Sequence, residues 1–301
     1  MTIDATRQYG QRMERVLRAI DADLSGDLGI ARLAGVAAFS PFHFHRQFSA
    51  YFEIGVHEYV QLRRLRQAAY RLAFRQRDTV TQIALECGYG GPDAFGRAFR
   101  QRFGQTPSAF RRTPDWQCWH AALRSLSRAE RMRMGRTFQD SDVQIVDLAD
   151  IPVALLVHRG DPALIGQSIG RFIAWRRSVG LPPRKSATST IWYDDPEGTP
   201  PAVFRLGLAA ATEDPVAPNP DGIVAATIPG GRCAMLRCVG SDQAVRDAAR
   251  FLYATWLPAS GETVRDDPPF CRRVTLFPDV AEQDAVTDIA LPLRPAQDRS
   301  F

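Results

Sequence analysis

Two stretches of this 301-residue chain carry the same residue types at the same spacing. Ser40–Phe48 reads SPFHFHRQF, and 51 residues later Gly91–Phe99 reads GPDAFGRAF. Proline, phenylalanine, arginine and phenylalanine recur at Pro41/Pro92, Phe44/Phe95, Arg46/Arg97 and Phe48/Phe99. Phe44, Phe48 and Phe52 fall at i, i+4 and i+8, as do Phe95, Phe99 and Phe103, so each triplet makes one buried helix stripe. With the stripes inward, His45 and Arg46 project outward on the first helix, and Asp93 and Arg97 on the second. A guanidinium presents a planar fork of donors that fits two adjacent acceptors, such as the major-groove edge of guanine. The unpaired N–H groups at a helix N-terminus favour phosphate as well. The chemistry on offer is contact with a polyanion, and it is offered twice.

These side chains need elements to aim them. Ser40 suits a helix cap, and Pro41 and Pro92 suit a first helical turn. Ahead of each helix, a short amphipathic run (30–36, then 80–87) and a tight turn complete a helix-turn-helix. A longer helix over 56–74 joins the two units, with Tyr59, Leu62, Leu65, Ala69 and Leu72 inward and Arg63, Arg64, Arg66 and Arg71 expected on the exposed side. An opening helix over 6–24 buries Tyr9, Met13, Val16, Leu17 and Ile20. Residues 113–140 read as a helical connector, with Trp116, Trp119, Leu123 and Leu126 at helical spacing. Charge divides the chain. Residues 1–112 hold 17 Arg against 10 acidic residues, whereas residues 141–301 hold 16 basic against 20 acidic. Only the front half is expected to meet a polyanion.

From Val143 onward, strand-like runs alternate with two helices, and a second duplication is visible. IPVALLVHRGD (151–161) resembles IPGGRCAMLRCVGSD (228–242). Each is followed by a helix holding aromatics, then a strand ending at proline (190–196, 273–279), then a last strand (202–211, 286–293). The pattern is β-α-β-β twice, offset by about 80 residues. Two such units pairing into one sheet give an α+β domain with helices on one face and a ligand pocket at the junction. Five scattered cysteines and five histidines make no ligand set, so neither a metal nor a cofactor is expected, and the thiols read as reduced and structural. No apolar run is long enough to span a membrane and the N-terminus lacks a signal-peptide core, so the expected location is cytoplasmic, with no membrane partner.

Residues 8–112 strongly resemble the AraC/XylS transcriptional regulators. The resemblance rests on ARLAGVAAFSPFHFHRQFSAYFEIGVHEYVQLRRLRQAAYRLA and TVTQIALECGYGGPDAFGRAFRQRFGQTPSAFR. It implies an all-α domain whose two helix-turn-helix units are held apart by one long helix, so that successive major grooves of double-stranded DNA are read about 34 Å apart. Carried over by position, the DNA-binding candidates are Ser40, Phe42, His45 and Arg46 on the first unit, and Pro92, Asp93, Arg97 and Arg100 on the second. Glu53 stands where many relatives have glycine.

Residues 143–295 resemble the GyrI-like small-molecule-binding domain, on IPVALLVHRGD, FIAWRRSVGL, IWYDDPE, IPGGRCAMLRCVG, FLYATWLPASG and TDIALPLRP. The resemblance implies an effector held between two halves and walled by aromatics, for which Trp175, Trp192, Tyr193, Phe204 and Trp256 are candidates. Relatives often hold a cationic drug with a strand glutamate followed two residues later by tyrosine. Here those positions are Cys271 and Arg273, so the expected effector is uncharged or anionic. Some relatives are hydrolases using the same glutamate; with cysteine there, no acid–base pair is visible and the chain is not read as an enzyme. The expected organisation is a DNA-binding domain over 1–112, a connector over 113–140 and an effector domain over 141–301. The expected function is a DNA-binding transcriptional regulator with a small-molecule sensor and RNA polymerase as a further partner. The alternatives are a hydrolase tethered to a DNA reader, or a ligand-free module contacting RNA polymerase or gyrase.

Overall fold

The computed structural model describes residues 3–133, 138–196 and 198–295, so residues 1–2, 134–137, 197 and 296–301 of the expected domains lie outside the described residues. The chain divides into two compact units, Met1–Gly135 and Arg136–Phe301. No described helix is long and apolar enough to cross a membrane.

The first unit is helical: α1 (Ile3–Ala22), α2 (Ile30–Ala37), α3 (Pro41–Phe52), α4 (Val56–Phe74), α5 (Val80–Glu86), α6 (Pro92–Phe103), α7 (Pro107–Arg112), α8 (Trp116–Ala122) and α9 (Arg124–Arg131). Local signals set many of the ends. Thr79 Oγ1 accepts from the Gln82 nitrogen at 3.1 Å while Gln82 Oε1 accepts from the Thr79 nitrogen at 3.2 Å, a reciprocal cap that starts α5. Proline opens α3, α6 and α7. Gly104 (φ 70°) ends α6 in the left-handed region that relieves the last turn, and Glu53 (φ 56°) ends α3 in the same region. Phe44, Phe48 and Phe52, together with Phe95, Phe99, Phe103, Tyr59 and Phe110, are buried to within 1%. Their rings meet edge-on or tilted, with Phe48 on Tyr59 at 5.9 Å and Phe99 on Phe110 at 5.4 Å, so each repeat closes on the same aromatic lock.

The expectation that the arginines of α4 face solvent is corrected. Arg63 is buried and pairs with Asp21 of α1 at 2.8 Å and Glu130 of α9 at 2.9 Å. Arg66 reaches Glu130 at 2.7 Å. Arg64 donates to the Leu24 and Gly26 carbonyls at 2.7 and 3.2 Å. Arg71 pairs with Asp78 at 2.7 Å and Glu86 at 2.5 Å. Burying a cation is costly unless it is paired and hydrogen-bonded, and the anion that Arg63 and Arg66 share comes from the stretch read as a connector. That stretch is packed: Trp116 stacks on Phe74 at 5.7 Å, Trp119 meets Tyr70 edge-on at 5.4 Å, and Arg133 pairs with Glu14 and Asp21 at 2.9 and 2.7 Å. The break between the units falls after these helices, at Gly135.

The second unit is built on eight antiparallel strands: β1 (Val143–Leu148), β2 (Ile151–Arg159), β3 (Thr188–Trp192), β4 (Arg205–Ala211), β5 (Val224–Ile228), β6 (Gly231–Val239), β7 (Phe270–Arg273) and β8 (Val286–Pro292). Helix α10 (Ile165–Ser178) packs on β2, and α11 (Asp242–Phe251) packs on β6 and β8. The sheet order is β1-β6-β8-β7-β3-β4-β2-β5. Each β-α-β-β half is thus preceded by one more strand, and these extra strands are exchanged: β1 pairs with β6 of the second half, and β5 with β2 of the first. The register runs from Val143↔Leu236 through Leu148↔Gly231 and resumes in step at Ile151↔Ile228. Two long bent strands therefore cross as one ladder, and their two-residue links bring both ends of the strand order together, so the sheet curls on itself. One cluster, including Leu148, Val153, Ile191, Ala209, Ile228, Met235, Phe270 and Ala290, draws on all eight strands and fills one face of the curl. The strand expected at 273–279 lies instead at Phe270–Arg273, where alternation gives Phe270 to that cluster and Cys271 to the one packed on α11.

Candidate nucleic-acid interface

Helices α3 and α6 each follow a short helix and a tight turn, and each presents its polar face outward. Ser40 is the N-cap residue of α3 and is exposed. Phe42, in the first turn, is 88% exposed with its ring free of the aromatic lock. His45 and Arg46 are exposed one turn further on, and on α6 Pro92, Asp93, Arg97 and Arg100 are all exposed, with Asp93 and Arg97 at the equivalents of Phe42 and Arg46. Single exposed apolar residues are ordinary on a folded surface, so Phe42 draws notice for its place, in the first turn of α3 beside exposed His45 and Arg46. Among the described residues, Arg46, Arg97 and Arg100 make no hydrogen bond or ion pair within the chain.

The rest of the unit handles its arginines differently. Arg63, Arg66, Arg71 and Arg133 are held by carboxylates, Arg64 by carbonyls, and Arg111 donates to the Asp78 carbonyl at 2.6 Å. Glu130 shows how firmly. Burial alone would raise its carboxyl, but Arg66 and Arg63 outweigh burial and hold it down at about 2. The guanidiniums left unpaired include those at the outward positions of the two repeats. The length of α4, 19 residues, corresponds to about 28 Å at about 1.5 Å per residue. Sequence reasoning left Arg102, Glu130 and Arg133 without a role, because each acts on residues far away in the chain.

In the second unit, the expected effector residues fall into different surroundings. Trp192, Trp256 and Cys271 share the cluster under α11. Arg273 lies on the same face of its strand, but its guanidinium is engaged by Asp242 at 2.9 Å and Thr287 at 3.4 Å. Trp175 belongs to the separate cluster under α10, where it stacks on Phe172 at 6.1 Å. Tyr193 packs against the inner cluster of the curled sheet, beneath the Arg205 guanidinium at 5.5 Å. Phe204 is buried beside His158, ring to ring at 6.2 Å. Two of the five expected aromatic walls are therefore brought together with Cys271, and Trp175, Tyr193 and Phe204 are not in that group. Cys271 is fully buried, and burial pushes its thiol up, away from the reactive thiolate. His158 is occupied elsewhere: Nδ1 meets Ser168 Oγ at 2.9 Å and Nε2 meets the Asp161 carbonyl at 3.2 Å. The carbonyl can only accept, so Nε2 donates to it, and the contact of Nδ1 with Ser168 ties β2 to α10.

Comparison with known proteins adds to this geometry. Residues 141–294 match the GyrI-like small molecule binding domain, and residues 33–113 match a helix-turn-helix domain. Over 153 residues the chain is 37% identical to the probable transcriptional regulator YgiV of Escherichia coli K12, covering 50% of this chain and 96% of that one. Over 100 residues it is 30% identical to the right origin-binding protein of Escherichia coli K12, covering 33% of this chain and 34% of that one. Over 134 residues it is 28% identical to the transcriptional regulator Rob of Salmonella typhimurium, covering 44% and 43%.

Proposed function

Because the chain belongs to the GyrI-like small-molecule-binding family and carries an AraC-type helix-turn-helix domain ahead of that domain, it is a DNA-binding transcriptional regulator, and we propose that it reads DNA with both repeats and answers to a small-molecule effector. The front half docks α3 and α6 into successive major grooves of one face of the duplex. Arg46 and Arg97 reach base edges, Phe42 and His45 flank Arg46, and Ser40 and Arg100 meet the backbone. Pro92 offers no side-chain donor and Asp93 accepts only, so α3 supplies more of the discrimination. The observation that supports this reading most is the pairing pattern of the arginines: distant arginines are locked by carboxylates, and the two at equivalent repeat positions are free and exposed. Two readers fixed on one rod need no two-fold partner to cover a long asymmetric site.

The test is selection of duplexes from a random pool by the full chain, followed by binding of Arg46→Ala to the selected site. The expected loss is about 1–3 kcal/mol, with specificity relaxed at one base pair. Wild-type affinity in the variant would overturn the docking.

For the second half, the proposed effector is uncharged or anionic and binds where Trp192 and Trp256 flank Cys271. No carboxylate occupies the Cys271 position to attract a cation. Arg273 already holds Asp242, so an anion binds only by displacing that carboxylate, and an uncharged aromatic molecule needs no exchange. A thermal-shift screen of neutral, anionic and cationic aromatic compounds tests this. A true ligand at 100 times its Kd adds about 2.7 kcal/mol of stability. Hits confined to cations would refute the charge assignment.

A further inference from the structure

Helices α8 and α9 lie between the two matched stretches, which end at 113 and resume at 141. They nevertheless touch both base-facing helices: α9 packs on α3 and α4, and α8 packs on α6. The contacts fall at equivalent points of the duplication. Glu53, the residue that closes α3, pairs with Arg128 of α9 at 2.9 Å. Arg102, in the last turn of α6, donates to the Ala122 carbonyl at the end of α8 at 2.7 and 3.1 Å, and the Cys118 thiol of α8 donates to the Phe103 carbonyl at 3.3 Å. A single buried residue, Leu123, joins α8 to α9, ending one helix and starting the other at φ −97° and ψ 5°. A corner this short is stiff. It is also fastened to the rod, through Glu130 on Arg63 and Arg66 and through Trp119 on Tyr70.

A lone helix between two packed units fixes their separation but leaves each unit free to rock about its own contact. A second rigid path between the same two units removes that freedom. We propose that the α8–α9 pair is a brace that holds the C-terminal ends of α3 and α6 at a set distance and angle, and so dictates which spacing of the two half-sites the protein accepts. Arg102 and the Leu123 corner act as positioning residues, away from the DNA-facing ends of both helices. The inference rests on the double-reader proposal above. A pair that merely completed the core would alter stability and affinity alike at every spacing.

The test uses the full chain and the duplex it selects from a random pool. Duplexes with one base pair added or removed between the half-sites shift one reader by about 3.4 Å and about 35°. Affinities are measured for the wild type, for Arg102→Ala, and for a chain with three glycines inserted between Leu123 and Arg124. The wild type is expected to prefer its selected spacing by about tenfold, and both variants to narrow that ratio to about threefold or less. A variant that melts cooperatively yet keeps the wild-type ratio overturns the brace. Arg102 also pairs with Glu58 of α4 at 3.2 Å, so should the insertion unfold the chain, Arg102→Ala is read against Glu58→Ala, which removes that pair alone and is expected to keep the wild-type ratio. Enrichment of no duplex would sink the double-reader proposal and this one with it; enrichment with an unchanged spacing ratio would sink only this one.

Discussion

Glu53 sits at φ 56°, in the left-handed region, where its repeat partner Gly104 has φ 70°. A side chain there crowds the backbone, and glycine does not. The ion pair with Arg128 offsets little, since both partners are largely exposed. Glu53→Gly is expected to stabilise the first unit by about 0.5–1 kcal/mol, read as a higher denaturant midpoint. Glu130 stands at the opposite extreme. It is buried between Arg63 and Arg66, and removing it takes from both guanidiniums the carboxylate they share, although Arg63 keeps its pair with Asp21. Glu130→Ala is expected to cost about 3–5 kcal/mol. The same carboxylate makes stability depend on pH. Its folded pKa is depressed to about 2, so the stabilisation is whole above the ordinary carboxylate range and is lost as pH falls from there toward 2. Denaturant midpoints between pH 6 and pH 2.5 should fall in the wild type, and less steeply in Glu130→Gln.

The crossing of the two long strands hangs on one glycine. A methyl group on Gly230 would stand 2.6 Å from the Asp150 nitrogen and 2.5 Å from the Ala149 carbonyl carbon, both backbone atoms that cannot swing away. The two turns are also stitched directly, the Gly230 nitrogen donating to Asp150 Oδ1 at 2.7 Å. Gly230→Ala is expected to destabilise the second unit by about 1–3 kcal/mol, in thermal melts followed by tryptophan fluorescence. Elements of this kind mark the limit of what the sequence discloses. Helix starts were legible because their signals are local: proline directly after Ser40 and Gly91 announces α3 and α6. The aromatic stripes were legible because a period of 3.6 needs no partner to be seen. Burial of Arg63 was not, since it looks like any surface arginine until Glu130, 67 residues later, folds against it. Strand exchange between the halves was hidden for the same reason: the pairing of β1 with β6 spans some 90 residues, and alternation within a strand does not name its neighbour. The aromatics of the second half were read as one wall because spacing says which face a ring takes, not which of three clusters it joins.

At the scale of the whole chain, charge separates the tasks. The first 112 residues hold a surplus of 7 positive charges and residues 141–301 a surplus of 4 negative ones. Arg63, Arg66 and Arg71 are paired with Asp21, Glu130, Asp78 and Glu86, and because Asp21, Asp78 and Glu86 are already counted in that surplus, it rests on the other arginines of the unit. The charge available to phosphates is therefore set by exposed arginines such as Arg46, Arg97 and Arg100. Each phosphate neutralised releases counterions, so the logarithm of affinity falls against the logarithm of salt with a slope of about −0.9 per contact. Removing an exposed arginine proposed to contact phosphate, as in Arg100→Ala, should lower the magnitude of that slope by about 1 and weaken binding to all sequences alike. Removing a locked one, as in Arg71→Ala, should lower stability and leave the slope of the folded protein unchanged. Anisotropy titrations between about 50 and 200 mM salt separate the two cases. Equal slopes for Arg100→Ala and the wild type would mean that Arg100 does not touch the backbone, and that being unpaired and exposed does not by itself mark an arginine of the interface.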